Sequence, residues 1–107
     1  MTYKRDERKS AAKYRLKFVP DAWREWEALD GSIKQALKPL LEKRLQNPHV
    51  PGALLHRELS NCYKIKLLKQ GYRLVYVVEN DELVVLVLSV SKREDNAAYL
   101  TAAKRLK

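Results

Sequence analysis

Lys64, Lys66 and Arg73 are the residues whose types and spacing point most directly to chemistry. Lys64 and Lys66 stand two apart in Cys62-Tyr63-Lys64-Ile65-Lys66-Leu67, so on a strand they share one side, while Tyr63, Ile65 and Leu67 take the other. Gly71-Tyr72-Arg73-Leu74-Val75-Tyr76 follows at once, with Tyr72, Leu74 and Tyr76 as an apolar set and Arg73 out of phase with it. Pairing Leu67 with Tyr72 brings Ile65 to Leu74 and Tyr63 to Tyr76, with every apolar side chain on one face. A slip of one residue scrambles that face. The same register sets Lys66 opposite Arg73. Like charges directly opposite each other are unfavourable, so a hairpin built this way is suited to an anion. Crowded cations hold a phosphate. They also lower the pKa of a neighbouring lysine, ordinarily about 10.4, toward values at which it can act as a base.

The rest of the composition narrows the class. The chain has 107 residues, room for one domain and one core. Its net charge of +9, from 22 Lys and Arg against 13 Asp and Glu, favours a polyanionic partner, nucleic acid above all. Cys62 is the single cysteine, which excludes an internal disulfide and fits a reducing, cytoplasmic setting. A lone strand cysteine with no histidine near it in sequence reads as packing, not as a nucleophile. His49 and His56 are isolated, lack metal-ligand spacing and read as surface residues. No run approaches 18 apolar residues and the first residues lack an apolar signal core, so neither a membrane span nor a secretory signal is expected.

Hydrophobic periodicity supplies the elements that must position the cations. The alternating segment 14–19 reads as a strand. Pro20 then opens a helix with Trp23, Trp26 and Leu29 spaced for a core face. Asp30-Gly31-Ser32 marks a break and a cap. Ile33, Leu37, Leu40, Leu41 and Leu45 form the stripe of a second helix, with Lys34, Lys38, Lys43 and Arg44 mostly off it. Pro39 lies inside that stripe and predicts a kink or a break. Strands are expected at 61–67 and 72–78, joined by Lys69-Gln70-Gly71. Asn80-Asp81 reads as a tight turn. The apolar run from Leu83 to Val90 reads as a central strand covered on both faces, and the chain is expected to leave the sheet at Ser91. A last helix from about Asp95 carries Tyr99, Ala102, Ala103 and Leu106. The expected fold is α+β in the order β-α-α-β-β-β-α: a small, mostly antiparallel sheet, two N-terminal helices on one face and a short C-terminal helix.

This order, with CYKIKL, GYRLVY and the SVSKRE run ahead of a tyrosine-bearing helix, resembles the RelE toxins of bacterial and archaeal toxin–antitoxin pairs. The resemblance covers roughly residues 14–106, and Cys62 to Arg93 is its specific part. It implies a toxin domain over residues 13–107. Residues 1–12 are then a flexible basic extension that inherits nothing. It implies a ribosome-dependent endoribonuclease that cuts messenger RNA in the A site and needs no cofactor or metal. Lys64, Lys66, Arg73, Arg93 and Tyr99 match the family's catalytic positions. Arg57 falls where the family has an RNA-contacting arginine. Lys34, Lys38, Lys43, Arg44 and Lys92 are candidate contacts to RNA. The implied partners are 16S ribosomal RNA, A-site messenger RNA and a RelB-like antitoxin, with DNA reached only through the antitoxin complex. Two other readings stand beside it. The related ParE toxins share the architecture, poison DNA gyrase and lack this set of catalytic basic residues. The net charge alone suits a basic RNA- or ribosome-binding module without catalysis equally well.

Overall fold

Gly71 closes the central hairpin. It adopts φ +74°, open to glycine at no steric cost, and its N–H donates to the Leu67 carbonyl at 2.8 Å. The computed structural model describes residues 13–92 and 97–106. The hairpin joins β2 (Cys62–Leu67) to β3 (Tyr72–Glu79) in the register that the side-chain pattern dictates: Tyr63 with Tyr76, Ile65 with Leu74, Lys66 with Arg73 and Leu67 with Tyr72. Ahead of it come β1 (Arg15–Phe18), α1 (Pro20–Glu27), α2 (Gly31–Gln46) and two single turns of 3-10 helix, Pro51–Ala53 and Arg57–Leu59. After it come β4 (Val84–Lys92) and α3 (Ala97–Leu106). The sheet order is β1-β4-β3-β2, with β1 parallel to β4 and the other pairs antiparallel. The α+β class and the β-α-α-β-β-β-α order therefore hold. Among the described residues no helix is long and apolar enough to cross a membrane.

Two apolar layers sandwich the sheet. On one face Tyr63, Ile65, Leu67, Leu74, Tyr76, Val85, Val87 and Val90 pack against Trp26 of α1 and the Ile33, Leu37, Leu41 and Leu45 stripe of α2. On the other, Cys62, Val75, Val77 and Leu88 pack against Leu59 and against Ala98 and Ala102 of α3.

Four local expectations are corrected. Of the kink or break that Pro39 predicts, the break does not occur: α2 runs unbroken from Gly31 to Gln46. The missing N–H costs about 3 kcal/mol. Ile33 and Leu37 before it and Leu41 and Leu45 after it are all at most 7% exposed, and each such burial returns roughly 1.5–3 kcal/mol. Trp23 is 43% exposed: Trp26 is buried and Leu29 packs on the core as expected, but Ala22, not Trp23, is the other buried residue of α1. It lies edge-on to Phe18. The N-cap of α2 is Asp30, not Ser32. Finally, β4 starts at Val84, after Leu83 has turned through φ +56°, and it continues through Ser91 and Lys92. The expected start of the last helix near Asp95 and the extension at 1–12 lie outside the described residues.

Candidate active site

The ladder registers place the hairpin cations without ambiguity. Lys64 pairs with Val75 and Lys66 with Arg73, and Val75 belongs to the layer beneath α3. All three cations therefore sit on the α3 face, opposite α1 and α2. Lys64 and Arg73 are half-buried and Lys66 is exposed. On its other side Arg73 pairs with Ser91, and Val75 pairs with Ser89. The sheet thus carries two rows toward α3: Lys64–Val75–Ser89 and Lys66–Arg73–Ser91.

A β-bulge brings the serines to this side. The β3–β4 register shifts between Val75 and Tyr76, which leaves Leu88 as the extra residue of β4. Before it, Val85 and Val87 face the α1/α2 layer; after it, Ser89 and Ser91 face α3. The Ser89 hydroxyl, in a residue 1% exposed, donates to the Ala98 carbonyl at 2.8 Å. The next residue on α3 is Tyr99, whose ring centroid lies 4.8 Å from the Arg73 guanidinium carbon. That separation is within cation–π range. Burial pushes the Tyr99 hydroxyl above its usual pKa, and the Arg73 charge only partly opposes this. Tyr99 is therefore a neutral phenol at physiological pH. It offers a flat ring and an O–H donor beside a fixed cation.

The other predicted residues divide clearly. Arg57 is exposed in the turn whose Leu59 packs against α3, and its backbone holds φ +60°, a left-handed conformation uncommon outside glycine. Lys34, Lys38 and Lys43 ride on α2, behind the opposite face, so the structure does not bring them to the hairpin cations. Lys92 pairs with Tyr72 and shares that opposite face. Arg93 lies outside the described residues.

Arg44 is half-buried and makes hydrogen bonds within the protein. Its Nη1 donates to the Tyr76 hydroxyl at 2.9 Å and to the Lys64 carbonyl at 3.1 Å. It thereby fixes the open edge of β2 at a candidate catalytic residue. Its position seven after Leu37 and three after Leu41 could have revealed this, since those offsets share a helix face. Sequence reasoning also missed a fork from Arg105 of α3 to Glu25 of α1, at 2.9 and 3.0 Å. Its partners stand 80 residues apart, and no pattern connects them.

Cys62 is fully buried, and that burial pushes its thiol up from 9.0 to about 11. It is an inert thiol at neutral pH. The shift also has a consequence for stability. A pKa raised on folding contributes stability in full below the unfolded value, and that contribution is lost as pH rises through the folded value. Between pH 8 and pH 10.5 the wild type is expected to lose about 2 kcal/mol more than Cys62→Ala, measured by urea unfolding.

A four-stranded sheet with one parallel edge, two helices behind it and a tyrosine-bearing helix over a basic hairpin defines the class. A family model described as the ParE toxin of type II toxin-antitoxin system, parDE, matches residues 16–97, and the chain belongs to this RelE/ParE toxin family. Within the family its likeness is to RelE. It is 42% identical over 93 residues to the mRNA interferase toxin RelE of Escherichia coli strain K12, spanning 87% of this chain and 97% of that protein. A RelE-like toxin protein of Escherichia coli is 43% identical over 95 residues, covering 89% and 99% of the two chains. Among solved structures, a doubly arginine-substituted E. coli RelE in the free state superposes with a TM-score of 0.80 at 40% identity, covering 89% of this chain and 99% of that one. The RelE of the intact E. coli RelBE toxin-antitoxin complex gives 0.72 at 42% identity, over 76% and 98%.

Proposed function

We propose that this chain is an mRNA interferase toxin, a ribosome-dependent endoribonuclease that cuts messenger RNA in the A site. The observation that carries the reading is the stack of Arg73 on Tyr99 in the same sheet row as Lys66, with Lys64 in the next row. RNA brings its own nucleophile. The enzyme must align the 2′-OH with the phosphorus and the leaving 5′-oxygen, take one proton, stabilise the added negative charge and protonate the leaving group. Alignment contributes several kcal/mol, and charge stabilisation is usually the largest single contribution. Arg73 and Arg93 hold the scissile phosphate, because a guanidinium fork donates two parallel hydrogen bonds to phosphate oxygens. A lysine of β2, Lys64 or Lys66, takes the 2′-OH proton. Tyr99 extends its stack onto an unstacked base of the message. The 2′-oxygen closes onto phosphorus and the 5′-oxygen leaves, drawing a proton from solvent with Arg93 beside it as an electrostatic stabiliser, giving a 2′,3′-cyclic phosphate and a 5′-hydroxyl without metal or cofactor.

Such a site has no strong acid–base pair of its own and depends on the ribosome to align the message. The toxin acts in the cytoplasm. Its partners are 16S ribosomal RNA, the A-site message and a RelB-like antitoxin, as E. coli RelE has in its complex with RelB. The decisive measurement adds the protein to free mRNA and to mRNA threaded on ribosomes. Cleavage of the threaded message alone is expected. Equal cleavage of both, or of neither, overturns the reading. The match to the ParE family model favours a second reading, poisoning of DNA gyrase. Gyrase-dependent DNA breaks together with intact ribosome-bound message would establish it. Association with ribosomes without strand breaks would leave a binding module.

A further inference from the structure

We propose that Glu25 and Arg105 form a clamp that positions Tyr99 for cleavage. This inference rests on the nuclease reading above and adds two residues that never touch RNA.

The clamp sits where the sheet is incomplete. β1 pairs with β4 only from Val84 to Val87, and the last backbone bond on that side runs from the Val19 N–H to the Val87 carbonyl at 3.0 Å. Beyond this point, among the described residues, β4 has no strand on that side, and two side chains take over. The Glu25 carboxylate accepts from the Val90 N–H at 3.0 Å, and Arg105 Nη1 donates to the Leu88 carbonyl at 2.8 Å. The two side chains are joined by the fork of Arg105 onto both Glu25 oxygens. The pair is mostly shielded, with 20% and 30% of the Arg105 and Glu25 side chains exposed. Arg–carboxylate pairs of this bidentate kind fix direction as well as distance.

The clamp spans the two faces of the molecule. Glu25 comes from α1, on the side away from the cations; Arg105 comes from the last turn of α3, on their side. It closes on Leu88, the bulged residue, and on Val90, which flank Ser89. The Ser89 hydroxyl in turn holds Ala98 at the other end of α3.

The helix needs such anchors. Its fully buried side chains are Ala98 and Ala102, at 1% and 0% exposure, with Tyr99, Ala103 and Leu106 only partly buried beside them, so apolar packing alone fixes its position loosely. Tyr99 lies six residues from Arg105, about 9 Å along the helix axis. A small rotation or slide of α3 at the clamp therefore moves the ring off Arg73. A displacement of about 1 Å in a catalytic group can cost a hundredfold in rate. Glu25 and Arg105 are positioning residues, acting through Tyr99.

The test is a double-mutant cycle of single-turnover and steady-state cleavage on programmed ribosomes. Glu25→Gln is expected to lower kcat by about ten- to a hundredfold, with KM for ribosomes within about twofold. Arg105→Lys keeps the charge but loses the fork and is expected to fall between wild type and Glu25→Gln. In a Tyr99→Ala background, Glu25→Gln is expected to change kcat by less than about twofold, because the ring it positions is gone. Equal losses in the two backgrounds, or no loss in either single clamp variant, overturn the proposal. A readout without RNA separates this from the nuclease reading. In protein carrying 3-fluorotyrosine, with the Tyr99 resonance assigned by Tyr99→Phe, Glu25→Gln and Arg105→Lys are expected to shift the Tyr99 fluorine signal. A wild type that spares ribosome-bound message while both variants shift that signal overturns the nuclease reading and leaves the anchoring. An unmoved signal overturns the clamp.

Discussion

Arg73→Ala is expected to slow cleavage of ribosome-bound message by about 10²- to 10³-fold, the scale of losing one preorganised donor to developing negative charge. The substitution removes the group that faces Lys66 across the ladder and the cation beneath the Tyr99 ring. On stability, relief of like-charge opposition to Lys66 and loss of the ring contact act in opposite directions, each by about 1 kcal/mol or less. Arg73→Lys separates charge from shape. Lysine keeps the positive charge but offers neither a planar fork nor a flat surface to stack on tyrosine. Its cleavage rate is expected to stay at least tenfold below wild type. Single-turnover cleavage at saturating protein, with melting temperature as the control, reads both effects. Near-wild-type cleavage by Arg73→Ala would remove Arg73 from the chemistry. Full recovery in Arg73→Lys would reduce its role to bulk charge.

The legibility of this site followed from how local its determinants are. The β2–β3 register was readable because alternation of apolar and polar residues, a glycine at the turn and the Tyr63–Tyr76 and Ile65–Leu74 pairings all demand one alignment. That alignment alone places Lys64, Lys66 and Arg73 together. Strand β4 was readable only as a buried strand. An apolar run from Leu83 to Val90 has no alternation to betray a bulge, so nothing in it shows that Leu88 is the extra residue. Ser91 therefore reads as lying outside the sheet, although β4 carries it. Helix α1 opens at Pro20 as expected, and only Trp23 on its core face is misread, for a related reason. Ala22 and Trp23 both suit a core, and only packing decides that Ala22 is inside and Trp23 out. The proline in α2 shows the reverse: a strong local signal lost to four buried aliphatic side chains. The tie from Glu25 to Arg105 depends on where three elements meet, and no periodicity encodes that.

Arg44 is tied into the protein's own hydrogen bonds, and Tyr76→Phe tests what that tie is worth. Tyr76 is fully buried and stacked on Tyr63. Its hydroxyl donates to the Pro48 carbonyl at 2.8 Å and accepts from Arg44 at 2.9 Å. Burial pushes that hydroxyl above its usual pKa, and Arg44 opposes the shift less strongly, so it remains a donor across the neutral range. Phenylalanine fits the same space but leaves the Pro48 carbonyl without this donor and Arg44 with only the Lys64 carbonyl. The Pro48 carbonyl keeps the Val50 N–H, so the loss is that of two hydrogen bonds of a buried hydroxyl, expected to cost about 2 kcal/mol, which for a domain of this size lowers the melting temperature by roughly 8–15 °C. Cleavage measured well below the transition should stay within a few-fold of wild type, because the Arg44 bond to Lys64 survives. Arg44→Ala removes both bonds and frees the β2 edge at Lys64, so it should lose stability and slow cleavage together. If Arg44 instead serves mainly as an RNA contact, Arg44→Ala will weaken ribosome binding without lowering the melting temperature. The double variant distinguishes the cases: for partners in one buried network, the combined loss of stability falls short of the sum of the two single losses.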